Sequence, residues 1–170
     1  MRTAAVLIAS LVVCAAGAAN ALGRGSIVMC KGSQLAGSFK AVPGSAGAGN
    51  ISYALRLQNV STSSCSLTGL PQGQLLGRTG AKNPTHVRAA FPGALTAILV
   101  TLAPHQSARA TARFSPDVPG VGEGGKKQCE PTSYRFRVTA PGGGTVTVKV
   151  LPATPVCEHG RMLFSAYGRG

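Results

Sequence analysis

The chain has few acidic residues and no tryptophan. Its 170 residues include 4 Asp and Glu against 17 Lys and Arg, which gives a formal net charge of +13. Each acid stands beside Gly, Pro or Cys, outside the alternating segments: Asp117, Glu123, Glu130 and Glu158. This placement argues against a pair of inward-facing carboxylates for acid–base catalysis. The missing Trp excludes the buried Trp that antibody domains pack against their disulfide.

Motifs of common enzyme classes are also missing. There is no Gly-x-Ser-x-Gly motif of a serine hydrolase. Residues 120–127 (GVGEGGKK) imitate a phosphate-binding loop, but Lys127 replaces the Ser or Thr that binds magnesium, and no strand precedes the motif. A Ser-His-Asp triad would need distant residues, with His86 or His105 as base and Asp117 as acid. We therefore predict a non-catalytic protein without a cofactor, with a cryptic hydrolase as an alternative.

Long apolar runs are confined to the N-terminus. Arg2 precedes the apolar run AAVLIASLVV, and a small-x-small sequence ends at Ala21. This pattern is typical of a secretory signal peptide, and the run is short for a membrane span. Lipid attachment at Cys14 is the alternative, although Val13 is bulky for the residue before a lipid anchor. We therefore predict a secreted, extracellular protein without a transmembrane segment.

Four cysteines follow the predicted signal peptide: Cys30, Cys65, Cys129 and Cys157. No Cys-x-x-Cys pair is present, so a zinc clip is disfavoured. Export to an oxidising compartment favours disulfides, and four cysteines allow three pairings. We favour Cys30–Cys65 and Cys129–Cys157, because each pair brackets a strand-and-turn segment and closes a loop of roughly thirty residues.

Alternating apolar and polar residues predict an all-β chain. The clearest strand is residues 50–59 (NISYALRLQN), in which Ile51, Tyr53, Leu55 and Leu57 face one side. Residues 78–94 contain two prolines and no period, so we expect a long surface loop there. The other predicted strands are at 64–70, 73–77, 95–102, 107–115, 133–152 (a hairpin) and 160–167. The strand at 95–102 is almost entirely apolar, so we expect it to be central.

About eight short strands of this kind predict a disulfide-stapled, immunoglobulin-like, two-sheet antiparallel β-sandwich. The chain is long enough for one domain. We expect a cleaved signal peptide over 1–21, a short segment over 22–29 and a single β-sandwich domain over 30–167.

Segments along most of the chain resemble a known family. They are Cys30, GSAGAGNISYALRLQN (44–59), SCSLTGLP (64–71), VTLAPHQSARATARF (100–114), Cys129 and LPATPVC (151–157). Their order is similar to that of the family called domain of unknown function 4232, mostly actinobacterial secreted proteins and lipoproteins. The resemblance implies a secreted β-sandwich with paired cysteines and implies no known activity. Leu70 stands where the family usually has an aromatic residue.

The hairpin over residues 133–152 suggests a binding function. Centring its turn on Gly142 pairs Val138 with Val146, Phe136 with Val148 and Tyr134 with Val150, so one face is apolar. The same register opposes like charges on the solvent face, which is unfavourable for an isolated domain. Long side chains splayed into water would explain this at small cost. Alternatively, the residues form an anion site: Arg135 opposite Lys149, Arg137 opposite Thr147, and Arg109 or Arg113 if their strand joins the same sheet.

The expected partner is an anionic cell-envelope polymer or another secreted protein. Nucleic acid is not expected as the physiological partner of an exported chain.

Copper is the sharpest alternative. Cys157, His159 and Met162, with His105 or His86, supply the ligand types of an electron-transfer copper site. Against this, a single residue separates Cys157 from His159, and a disulfide would consume the thiolate that copper needs.

Overall fold

A computed structural model describes residues 27–93, 98–123 and 129–170. The predicted signal peptide and Cys14 lie outside these residues. Two short helical turns are present, a 3₁₀ turn at Gly32–Gln34 and α1 at Cys157–Gly160. The strands are β1 (Leu35–Ala41), β2 (Ile51–Asn59), β3 (Cys65–Thr68), β4 (Gln72–Leu76), β5 (His86–Ala89), β6 (Leu99–Leu102), β7 (Ser107–Phe114), β8 (Ser133–Thr139), β9 (Thr145–Thr154), β10 (Arg161–Phe164) and β11 (Gly168–Arg169).

The strands form one nine-stranded sheet and one two-stranded sheet. The large sheet has the order β4-β8-β9-β1-β2-β7-β10-β5, with β11 also on β7, and β3 pairs with β6. Most pairs are antiparallel, but β1–β9 and β5–β10 are parallel. Asn83 N–H donates to the Leu75 carbonyl (3.0 Å), which brings the chain just before β5 against β4. The predicted all-β sandwich is confirmed, and it is partly closed into a barrel.

The alternation in β2 is confirmed at three of the four predicted inward residues, and the fourth, Ile51, is partly buried against the core. Tyr53, Leu55 and Leu57 have no exposed surface. Aromatic rings fill the middle of the core, with centroids 5.1–6.1 Å apart: Phe39, Tyr53, Phe114, Phe136 and Phe164. The Tyr53 hydroxyl donates to the Pro152 carbonyl (2.8 Å), so the polar end of this buried ring is satisfied.

Two sequence predictions, the loop over 78–94 and the central strand over 95–102, are wrong in part. The loop expected over 78–94 contains β5, which pairs with β10 and packs Val87 against the core. In the segment 95–102, Leu99–Leu102 form β6, but this strand pairs with β3 in the two-stranded sheet and is therefore not central; residues 95–97 lie outside the described residues. Leu99 is exposed, whereas Val100 and Leu102 are buried, so β6 covers the core with one face only.

The predicted register of the β8–β9 hairpin is confirmed in the part of the hairpin nearest its turn. Phe136 pairs with Val148, and Val138 with Val146. A bulge between Ser133 and Arg135 breaks the expected pairing of Tyr134 with Val150. Tyr134 instead contacts Arg78, whose guanidinium lies 4.4 Å from the ring centroid and donates to the hydroxyl (2.8 Å).

The structure contains the two disulfides that the sequence favours. Cys30 is bonded to Cys65, and Cys129 to Cys157, with Cα–Cα distances of 4.8 and 5.4 Å. The first bridge ties the chain before the 3₁₀ turn to β3, and Ser66 N–H also donates to the Val28 carbonyl (2.8 Å). At the other end, β11 continues the fold two residues beyond the predicted boundary at 167.

Candidate anion-binding face

Five neighbouring strands place four basic side chains and one serine in one line on the outside of the large sheet. Arg135 of β8 is opposite Lys149 of β9, Ser38 of β1 is opposite Arg56 of β2, and Arg56 is opposite Arg109 of β7. Lys149 and Ser38 each come one residue before the pair Val150–Phe39, so they are neighbours too. We call this line the basic row: Arg135, Lys149, Ser38, Arg56 and Arg109. Strands lie about 4.8 Å apart, so the row follows the sheet for roughly 19 Å.

Arg56 and Arg109 are the two basic residues of the row that lie opposite each other on β2 and β7. The residues are direct cross-strand partners, and both side chains are exposed on the outer face. Neither side chain makes a hydrogen bond or an ion pair within the described residues. Like charges placed directly opposite each other in a sheet are destabilising, so the electrostatic interaction within this pair does not stabilise the fold.

Two cavities flank this pair. One, of about 380 Å³, is lined by both arginines and by Ser38, Lys40 and Ala54. The other, of about 340 Å³, is lined by Arg56 together with His105, Gln106 and Arg169. Arg56 therefore stands between two concave surfaces that both carry further basic or polar groups.

The five residues of the anion site that the sequence predicts occupy different parts of this face. Arg137 and Lys149 are exposed, and Arg113 is exposed opposite Ser52 of β2. Arg135 is committed in part to the fold, since its guanidinium donates to the carbonyls of Gly77 (3.4 Å) and Arg78 (2.7 Å). All five predicted residues belong to one sheet, but β1 and β2 separate the β8–β9 group from the β7 group.

Sequence reasoning missed Arg56 and Lys40, which lie on the two intervening strands. The outward position of Arg56 in β2 follows from the alternation of residues 51–59. Its opposition to Arg109 follows only from the pairing of β2 with β7, which joins segments about fifty residues apart and leaves no local signal.

The acids lie away from the basic row. Asp117 follows the end of β7, and the Cys157 N–H donates to the Ser115 carbonyl (2.9 Å), which brings the Glu158 loop to the same end. The remaining acids pair locally: His159 Nδ1 lies 3.5 Å from Glu123 and 3.8 Å from Glu130, and Arg161 lies 3.2 Å from Glu158. Among the described residues, no acid forms an ion pair with the basic row.

Glu123 anchors the loop around Glu158. Its buried carboxylate accepts the N–H groups of Gly120 (2.6 Å), Glu158 (2.9 Å) and His159. Burial raises the pKa of Glu123, but these hydrogen bonds and one from Glu130 outweigh it and lower the pKa to about 2. Glu123, Glu130 and His159 offer ligand atoms within 4.8 Å of one another. Because both Glu123 oxygens already accept N–H groups, the cluster is better suited to holding the loop than a metal.

The copper ligand set is not assembled. The Cys157 sulfur is bonded to Cys129 and offers no thiolate, and Met162 is fully buried. His105 precedes the start of β7, whereas Cys157 contacts the chain just after the end of β7, so about 25 Å of strand separates them. His86 Nδ1 lies near the His159 carbonyl (2.8 Å), not near a sulfur.

The triad of a cryptic hydrolase is likewise not formed in the part of the chain that the structure describes. The ring nitrogens of His86 and His159 contact backbone carbonyls, and no serine hydroxyl bonds to a histidine ring there.

None of the helices among the described residues has the length and apolar character to cross a membrane. The comparisons with known proteins identify one family: the family model described as Domain of unknown function (DUF4232) matches residues 30–165. No curated protein and no solved structure matches the chain.

Proposed function

Because the chain belongs to the DUF4232 family, which is described only as a domain of unknown function, we propose a function from its own residues. It is a secreted, non-catalytic module that binds anionic polymers of the cell envelope through the basic row. The N-terminal sequence and the two disulfides support export.

The observation that carries the proposal is Arg56 directly opposite Arg109 with no acidic partner among the described residues. The opposition of two like charges is unfavourable for the fold, whereas a polyanion lying across the strands would be attracted to it. The row is long enough to meet several charges of one polymer. Such contacts add through multivalency and raise the local concentration of the ligand.

The test is retention of the purified protein on isolated wall polymers, measured at about 20 mM and about 500 mM salt, since the screening length falls from roughly 20 Å to below 5 Å. We expect strong retention at low salt and loss at high salt. Arg109→Gln/Lys149→Gln should weaken retention, because it removes two charges from the row.

The matched control is Lys31→Gln/Lys82→Gln, which removes the same two charges from exposed positions outside the row. Retention that is equal in both double variants would mean that net charge alone is responsible, and would overturn the assignment to this face. Retention that ignores salt would overturn polyanion binding and leave a partner protein as the ligand class.

A further inference from the structure

We infer that the cavity beside Arg56 and Arg109 is a discrete site for one phosphate group. This inference rests on the proposed function and names the chemical group that the polymer would present. The cavity holds about 380 Å³, and its polar lining is Ser38, Lys40 and the two arginines; Ala41, Val42, Pro43, Ala54 and Gly170 form the rest of the wall. Its dimensions exceed what a single phosphate needs, so a phosphate with its attached carbon chain can enter.

The geometry brings three cationic groups to one place. Arg56 and Arg109 are cross-strand partners, so their Cβ atoms are about 5 Å apart. Ser38 is opposite Arg56, and Lys40 is two residues further along the same face of β1, a diagonal distance of about 7–8 Å. These side chains are long enough for both guanidiniums and the ammonium to reach one ligand from different sides.

The hydrogen-bond donors that line the cavity favour phosphate over carboxylate. A carboxylate has two oxygens in one plane, and a single arginine can satisfy it with two parallel hydrogen bonds. A phosphate presents its oxygens tetrahedrally, so it can accept from two guanidiniums and from a further donor such as the Ser38 hydroxyl. The Ser38 hydroxyl has no hydrogen-bond partner within the described residues, and neither have the side chains of Lys40, Arg56 and Arg109. The donors are therefore available to a ligand.

A bound phosphate would also relieve the repulsion between the two arginines. Binding should consequently stabilise the folded protein in a saturable way, with an increment set by the ligand concentration relative to its Kd. Salt without such affinity would only screen the repulsion, and would do so without saturation.

The experiment is thermal unfolding and NMR titration of the purified protein with inorganic phosphate, acetate and chloride at matched ionic strength. We expect a saturable rise in Tm with phosphate and shifts at β1, β2 and β7, with no saturable effect of acetate. Arg56→Gln and Arg109→Gln should each weaken phosphate binding about tenfold or more, whereas Arg109→Lys should retain part of it. Arg137→Gln, on the same face but outside the cavity, is the control and should bind like wild type.

Two further probes assign the source of the phosphate. Saturable binding of dimethyl phosphate would support a site for phosphodiesters within a chain, and binding of methyl phosphate alone would support a site for a terminal phosphomonoester. An equal effect of acetate, or undiminished phosphate binding in both Gln variants, would overturn the site. If polymers are retained but no phosphate probe binds, the phosphate site fails and the polymer proposal stands. If phosphate binds but polymers are not retained, the polymer proposal fails and the site stands.

Discussion

The carboxylate of Glu123 accepts the backbone N–H of His159, which lies 36 residues later in the chain. Glu158 and His159 both have φ of 56°, a left-handed conformation that residues other than glycine adopt at a cost. The same carboxylate also binds the Glu158 N–H, so one side chain secures both strained residues next to the Cys129–Cys157 bridge. Glu123 is thus an internal anchor for the turn at Cys157–Gly160, in addition to the backbone hydrogen bonds that this turn makes itself.

The first prediction is that the free energy of unfolding falls in acid because the Glu123 carboxylate becomes protonated. Its folded pKa of about 2 lies below the ordinary value of 4.5, so its contribution is complete above about pH 4.5 and is lost as the pH falls toward 2. Glu123→Gln should reduce the free energy of unfolding at neutral pH by about 1–3 kcal/mol and flatten this acid dependence. Urea unfolding across the acid range checks it, with exposed Glu158→Gln as control. If wild type and Glu123→Gln lose stability in parallel, the carboxylate is not the anchor.

The second prediction concerns the first disulfide. Replacing both Cys30 and Cys65 with serine should cost about 2–5 kcal/mol of unfolding free energy, because the bridge closes a long loop and holds the N-terminal segment on β3. Denaturant unfolding measures the loss. Peptide mapping of the unreduced protein should find Cys30 joined to Cys65, and a peptide linking Cys65 to Cys129 would contradict the pairing.

The third prediction uses the two faces of β2. Leu55→Ala should destabilise the protein by about 2–5 kcal/mol, since Leu55 is fully buried among the core aromatics. Ser52→Ala, on the outer face of the same strand, is the matched control and should change stability by less than about 0.5 kcal/mol. Equal losses at the two positions would show that the faces of β2 are assigned wrongly.

Much of the fold could be predicted because its strongest signals are local. The alternation of residues 51–59 and 107–114 identifies which side chains are buried, and the hairpin over 133–152 sets its own register through a short turn. The exceptions have physical reasons. β5 is four residues long and owes its existence to pairing with β10, which lies over seventy residues away and gives no local signal. In the apolar run at 95–102, the described strand β6 buries only alternate residues, so the apolar composition alone predicts more burial than β6 has.

The candidate site was predictable only in part. Each basic residue could be assigned to an outer face from alternation alone, but neighbours across strands depend on the sheet order. The parallel pairing of β1 with β9 and the antiparallel pairing of β2 with β7 are long-range, and they bring Ser38 and Arg56 between the two predicted groups. The bulge at Tyr134 is a further case, because nothing in the alternation of residues 133–139 indicates it.

The last prediction is that the Arg56–Arg109 pair costs stability in the unbound protein. Arg109→Thr should raise the free energy of unfolding by about 0.2–1 kcal/mol at low salt, because it removes a like charge directly opposite Arg56. Added salt screens the same repulsion, so the gain should shrink as the chloride concentration rises.

Arg137→Thr controls for the change in strand propensity, since Arg137 is exposed between Gln74 and Thr147 and opposes no charge. Guanidinium chloride would mask the effect through its own ionic strength, so the measurement requires urea unfolding at two salt concentrations. We expect Arg109→Thr to raise the free energy of unfolding more than Arg137→Thr does at low salt. At high salt the two variants should differ little. If Arg109→Thr is less stable than wild type at both salt concentrations, the arginines stabilise the fold. Their opposition would then give no reason to infer a binding site.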